Sequence, residues 1–189
     1  MGYTHTFEMT KKPDQGQWAS LMLDVQTLFN TLPNVQMLSH LGFDAEDDIV
    51  LRGPLGDNKP ICHSRKISFN GDASKGMAHE TFTLLAKKMD DFCKTDRKPY
   101  DFAVCAVLIL AFTHLPDCVR ILSDGDEEDW NPALSWVHSH IRSDALMPAG
   151  ITAAPNRPVM EFPANALAGQ TVAMYLRGLG TTIGDFYFS

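Results

Sequence analysis

The first strand-like pattern lies at the start of the chain. From Gly2 to Met9, Tyr3, His5, Phe7 and Met9 fall on one side while Thr4, Thr6 and Glu8 fall on the other, the period of a half-buried strand. Next, after a Lys-Lys-Pro-Asp turn, Trp18, Leu21, Met22, Val25, Leu28, Phe29 and Leu32 recur every three or four residues, which predicts an amphipathic helix that Pro33 ends. A short strand is expected at Ile49 to Arg52, followed by turn signals at Gly53-Pro54 and Gly56-Asp57-Asn58. Ile61 to Phe69 alternates again, with Ile61, His63, Arg65, Ile67 and Phe69 on one side and Cys62, Ser64, Lys66 and Ser68 opposite. His63 and Arg65 would therefore share an apolar face, where an unpaired charge costs several kcal/mol, so Arg65 needs an acidic partner, a ligand anion or water.

Asn70-Gly71-Asp72 reads as a turn and Ala73 to Gly76 as a loop. His79 to Leu84 fits a strand with Glu80, Phe82 and Leu84 on one side, although the start of a helix running to Phe92 fits too. The strongest signal follows. Pro99 suits a first helical position, Asp101 a negative first turn, and from Phe102 to Phe112 every residue is apolar, which predicts a central helix buried on most sides. Bounded by Asp101 and His114, the run falls short of the about 20 residues that a membrane span needs. Val119 to Leu122 reads as a short buried strand, Ser123-Asp124-Gly125 as a turn, and Asp126 to Asp129 as the acidic start of a helix carrying Trp130, Leu134, Val137 and Ile141.

Residues 145–189 change character. Pro148, Gly150, Pro155, Pro158 and Pro163 punctuate them, so they are expected to form an arm that belongs to the same fold or makes a contact in a homo-oligomer, with a helix at Asn165 to Leu179 and a strand at Ile183 to Phe188. Residues 1–144 form the core domain. Strands and helices interleave without regular βαβ repeats, which predicts an α+β fold: a mixed, largely antiparallel sheet packed by helices, with one buried central helix.

Composition narrows the functional classes. The chain has 189 residues, 44% of them hydrophobic, enough for one domain with a real core. A net charge of -7 and a pI near 5.4 argue against general binding to a nucleic-acid backbone. Cys62, Cys93, Cys105 and Cys118 show no metal or disulfide spacing and read as reduced; with no leader pattern in MGYTHTFEM, a cytoplasmic setting is expected.

Two constellations carry candidate chemistry. The first is the basic entrance to the central helix, where Lys94, Thr95, Arg97 and Lys98 precede Pro99 and Tyr100; helix N-termini favour anions, and these residues add charge and a hydroxyl donor. Solvated cations paired with Asp90 and Asp91 are the plain alternative. The second is His5, His63, Arg65, His79 and Glu80, which together suit an anionic ligand or general acid–base work, His79, Glu80 and His63 being the catalytic candidates. A structural Arg65–Glu80 pair and satisfied interior histidines compete with that reading. Cys62-His63 and His79-Glu80 lack zinc spacing, Asp124, Asp126 and Asp129 lack the rest of a calcium loop, and no metal or cofactor is expected. Cys93 is the one thiol in an electropositive setting, although an ordinary half-buried cysteine explains it as well.

The stretches MGYTH, ISFNG (Ile67–Gly71), HETF (His79–Phe82), FCKTDRKPYD (Phe92–Asp101) and SDGDEEDW (Ser123–Trp130) resemble an uncharacterised family of small phage, prophage and microbial proteins over residues 1–142. The resemblance implies only a setting, the host cytoplasm if phage-encoded, and leaves the ligand and any activity open. From the residues, the expectation is binding of an anionic small molecule, a nucleotide or phosphorylated metabolite, at the central helix entrance, with Arg65, Lys94 and Lys98 on the anion, Thr95 donating, and His5, His63, His79 and Tyr100 shaping the site. Turnover is left open. The alternative is a protein-interaction inhibitor of a host factor that uses the acidic surface and the proline-rich arm.

Overall fold

The computed structural model describes residues 3–43, 45 and 47–152. The expected helix at Asn165–Leu179, the strand at Ile183–Phe188 and most of the proline-rich arm lie outside them, as do Asp44 and Glu46 of an acidic stretch. Among the described residues the fold is α+β, with antiparallel strands in two three-stranded sheets rather than one.

The first sheet has the order β5-β1-β6. β1 (Thr4–Met9) is central and lies antiparallel to both β5 (Met89–Lys94) and β6 (Val119–Ser123). Its alternation holds: Tyr3, His5, Phe7 and Met9 are buried while Thr6 is exposed. The second sheet, β2-β3-β4, consists of Ile61–His63, Lys66–Phe69 and Phe82–Leu85. Phenylalanines join the two sheets: Phe82 lies 5.1 Å from both Phe7 and Phe69, and Phe69 lies 5.4 Å from Phe29 (ring centroids).

α3 (Asp101–His114) is the centre of the core. Every residue from Asp101 to Ala111 is buried, and the helix packs against α1 (Gln15–Asn30), α4 (Glu127–His140) and β6. Burying each large apolar side chain contributes about 1.5–3 kcal/mol, so Phe102, Val104, Val107, Leu108, Ile109 and Leu110 make α3 a main source of stability. It starts at Asp101 with Pro99 and Tyr100 in the turn ahead of it, slightly later than Pro99 suggested. α1 buries Trp18, Leu21, Val25 and Leu28, and Asp14 caps it by accepting from the Gly16 and Gln17 amides. Asp126 and Asp129 form a reciprocal capping box at the start of α4.

Three local expectations need correction. Ile61–Phe69 is a hairpin, because the chain reverses at Ser64-Arg65 and pairs His63 with Lys66. The parity of alternation restarts at that turn, so His63 and Arg65 are exposed rather than core-facing, and among the described residues Arg65 makes no pair with Glu80, whose carboxylate accepts from the Lys94 amide. Ile49–Arg52 supplies one bridge, Arg52 to Asn70, and no strand. Met89–Lys94 is a strand that no signal marked, and Val35–His40 forms a short helix, α2, capped by Asn34. At the other end, Ala145 and Ile151 join the core, so packing of the main body continues past residue 144.

Candidate functional site

One end of the first sheet gathers most of the residues that the sequence pointed to. There β1 begins, β5 and β6 end, and the chain passes from β5 into α3 and from β6 towards α4. His5 is wholly buried at this end. The Ser123 hydroxyl oxygen accepts from the Gly125 amide (2.9 Å) and the Trp130 indole (3.3 Å), which uses both its lone pairs. Its proton therefore goes to His5 Nδ1, 3.0 Å away, and the ring proton sits on Nε2, which donates to Asp101 Oδ1 at 2.7 Å. The buried Thr95 hydroxyl donates to the same carboxylate oxygen at 2.5 Å. Tyr3 and Trp130 hold the imidazole edge-on, with ring centroids at 5.0 and 5.3 Å.

The order Ser123, His5, Asp101 has the proton directions of a hydrolase triad, yet it lacks what the chemistry requires. Attack needs a free oxygen lone pair, and both on Ser123 are engaged. The neighbouring amides are also in use, Asp124 N–H donating to Thr4 O and Thr4 N–H to an Asp124 carboxylate oxygen, so they supply no oxyanion hole. Among the described residues, His5, Asp101 and Cys105 are the one His/Cys/Asp/Glu set close enough to share a metal ion. A metal there would have to displace the Nε2 proton and part the 2.7 Å contact; burial also pushes the Cys105 thiol up, well above its ordinary range. The array is a satisfied polar core that ties β1 to the starts of α3 and α4.

The connection from β5 to α3 wraps this core. Asp96 (φ 51°) and Arg97 (φ 53°) both adopt the left-handed conformation, which costs a residue other than glycine about 1–3 kcal/mol. Arg97 stacks 4.0 Å over the Tyr3 ring and bonds Asp129 at 3.0 Å. Outside it, exposed His79 directs Nδ1 to the Lys94 carbonyl (2.8 Å), while a Glu80 carboxylate oxygen accepts from the Lys94 amide (2.7 Å). The Tyr100 hydroxyl donates to Glu80 O at 2.7 Å, and the Lys98 amide donates to Thr95 O. Thus His5, His79, Glu80, Lys94, Thr95, Lys98 and Tyr100 gather around one connection, but largely through hydrogen bonds among themselves. The electropositive setting inferred for Cys93 is not what its sulfur meets: buried against Glu80 O, its thiol is pushed up to about 12 by desolvation.

His63 and Arg65 lie elsewhere, on a half-enclosed groove of about 840 Å³. Its walls come from the β1–α1 connection (Lys12, Pro13), the face of α1 bearing Trp18, Ala19 and Met22, the β2–β3 turn (His63 to Lys66) and the β4–β5 turn (Leu85 to Lys87). The two turns are joined by the Ala86 amide donating to Arg65 O at 3.0 Å. Lys12, Arg65, Lys66 and Lys87 line this groove together with no carboxylate, and among the described residues none of them makes an ion pair. Of these cations the sequence singled out Arg65 alone. The pairs Lys11-Lys12 and Lys87-Lys88 were visible, but nothing local showed that they share a surface.

No family model, curated protein or solved structure matches the chain. No helix among the described residues is long and apolar enough to cross a membrane.

Proposed function

We propose that this protein binds an anionic small molecule in the groove between α1 and the two β-turns. The observation that carries the reading is the charge imbalance there: Lys12, Arg65, Lys66 and Lys87 line one groove without a carboxylate, in a chain whose net charge is -7. Like charges left together repel, and a bound anion offsets that repulsion. Arg65 offers a planar fork for phosphate or carboxylate, and the lysines add point charges. The volume of about 840 Å³ falls within the range of about 300–1,000 Å³ common for small-molecule sites.

The entrance of α3 suits an anion less well. Asp101 already places a carboxylate in its first turn, Arg97 is paired with Asp129, and Asp124 and Asp126 stand on the neighbouring loop. Lys94 and Lys98 therefore sit in a field of mixed sign.

The test is calorimetric titration with a panel of phosphorylated and carboxylated ligands, backed by thermal shift. A ligand at about 100 times its dissociation constant should add about 2.7 kcal/mol of stability. Arg65→Glu and Lys87→Glu are expected to abolish binding and Lys94→Glu to leave it intact. The opposite pattern would return the site to the α3 entrance, and a silent panel would remove the reading.

A further inference from the structure

We infer, resting on the anion-binding reading above, that the groove takes an amphiphile: a free molecule with a phosphate or carboxylate head and a single alkyl or acyl chain. The groove is chemically divided. Its cations stand on turns and at a strand end, whereas Pro13, Ala19, Met22, Leu85 and Ala86 supply an apolar lining. Ala19, Met22, Leu85 and Ala86 are half-buried, so they present carbon surface to whatever occupies the groove. A bare phosphate or sugar phosphate would meet the cations and leave that surface wet.

A nucleotide fits less well than a chain. Bases are usually held by stacking on an aromatic face and by polar groups that read their edges. Two aromatic rings line the groove: Trp18 is only 3% exposed and directs its indole N–H towards the His63 carbonyl at 3.4 Å, while the His63 imidazole is exposed and its Nδ1 accepts from the Arg65 amide at 3.3 Å. The indole face is committed to the core, so a base would have only the small His63 imidazole to stack on, whereas the apolar lining is mostly aliphatic. Aliphatic side chains from α1 (Ala19, Met22) and from the end of β4 and its turn (Leu85, Ala86) ask nothing of a ligand except carbon, which an unbranched chain supplies. Charge complementarity then places the anionic end against Arg65 and the lysines.

The experiment compares octyl phosphate, used below its micelle-forming concentration, with inorganic phosphate, adenosine monophosphate and octyl glucoside by calorimetry on the full chain. Each buried methylene strengthens binding about fourfold, so three to four of them should make octyl phosphate roughly a hundredfold tighter than inorganic phosphate. Ala19→Gln, a helix-compatible change on the apolar lining, is expected to weaken octyl phosphate about tenfold and leave inorganic phosphate unchanged; Arg65→Glu with Lys87→Glu, both exposed, should weaken both. Inorganic phosphate or adenosine monophosphate binding as tightly as octyl phosphate would overturn the amphiphile and leave the anion site standing. Octyl glucoside binding as tightly as octyl phosphate, or no binding by any probe, would overturn the anion reading itself.

Discussion

The two ends of this molecule treat polar groups in opposite ways. At the start of β1, His5 is completely buried, yet each of its polar atoms is engaged and each partner is itself engaged: Ser123 with Gly125 and Trp130, Asp101 with Thr95. At the groove, Lys12, Arg65, Lys66 and Lys87 stand together with no opposite charge supplied. The first arrangement resembles a catalytic triad and is chemically closed; the second resembles an ordinary solvated surface and is electrostatically open. Anion binding is therefore proposed from spare bonding capacity rather than from residue types that suit catalysis.

Mutations should separate the two ends sharply. The largest effect is expected from His5→Ala, which removes a packed ring and leaves a buried carboxylate short of a donor. A loss of about 3–5 kcal/mol in urea unfolding is predicted, a large part of the about 5–15 kcal/mol typical of a domain. A loss under about 1 kcal/mol would mean that the array is not the structural tie described.

Gly125→Ala tests the same end through packing. A Cβ there would run into the Tyr3 hydroxyl and approach Asp129 Oδ2 at 3.1 Å, so a loss of about 1–3 kcal/mol is expected, with disturbance of the Arg97 latch. Wild-type stability would show that the Tyr3–Arg97–Asp129 stack can shift without cost.

A smaller, pH-dependent effect is expected at Asp72, another fully partnered carboxylate. Bonds from the Ser74 hydroxyl and from Arg52 lower its pKa from 3.8 to about 2. Because the folded value lies below the unfolded one, the stabilisation is complete above pH 3.8 and is lost as pH falls towards about 2. Asp72→Asn should therefore flatten the melting temperature against pH within that window; an unchanged slope would remove Asp72 as its cause.

The smallest effect on stability belongs to the groove. Arg65→Glu with Lys87→Glu should change unfolding free energy by no more than about 0.5 kcal/mol, because both residues are exposed and unpaired among the described residues. Binding should respond strongly while stability does not. Marked destabilisation would show that these cations have structural partners, and the contrast with His5 would collapse.

How much of this was legible in the sequence depended on how local each signal is. The Tyr3–Met9 alternation and the α1 spacing needed only neighbouring residues. Other elements defeated the pattern for identifiable reasons. The turn at Ser64-Arg65 carries no glycine or asparagine and no residue with positive φ, so Ile61–Phe69 reads as one strand. β5 contains Asp90-Asp91 and turns Phe92 outward, 50% exposed, which hides its period. At the α3 entrance, sequence proximity drew attention to the cations, but the acids that answer them, Asp129 above all, come from α4.

By itself, the sequence determined that the helix carrying the apolar run from Phe102 would be buried on most sides, that α1 would present one apolar face, and that β1 would turn His5 inward, because periodicity and hydrophobicity act over a few residues. The tertiary structure alone decided that His5 meets Asp101 across 96 positions and Ser123 across 118, and that separate parts of the chain bring their cations to one groove. The physical reason is that a polar group's role depends on its partners, and those partners are assigned only when distant segments close on one another.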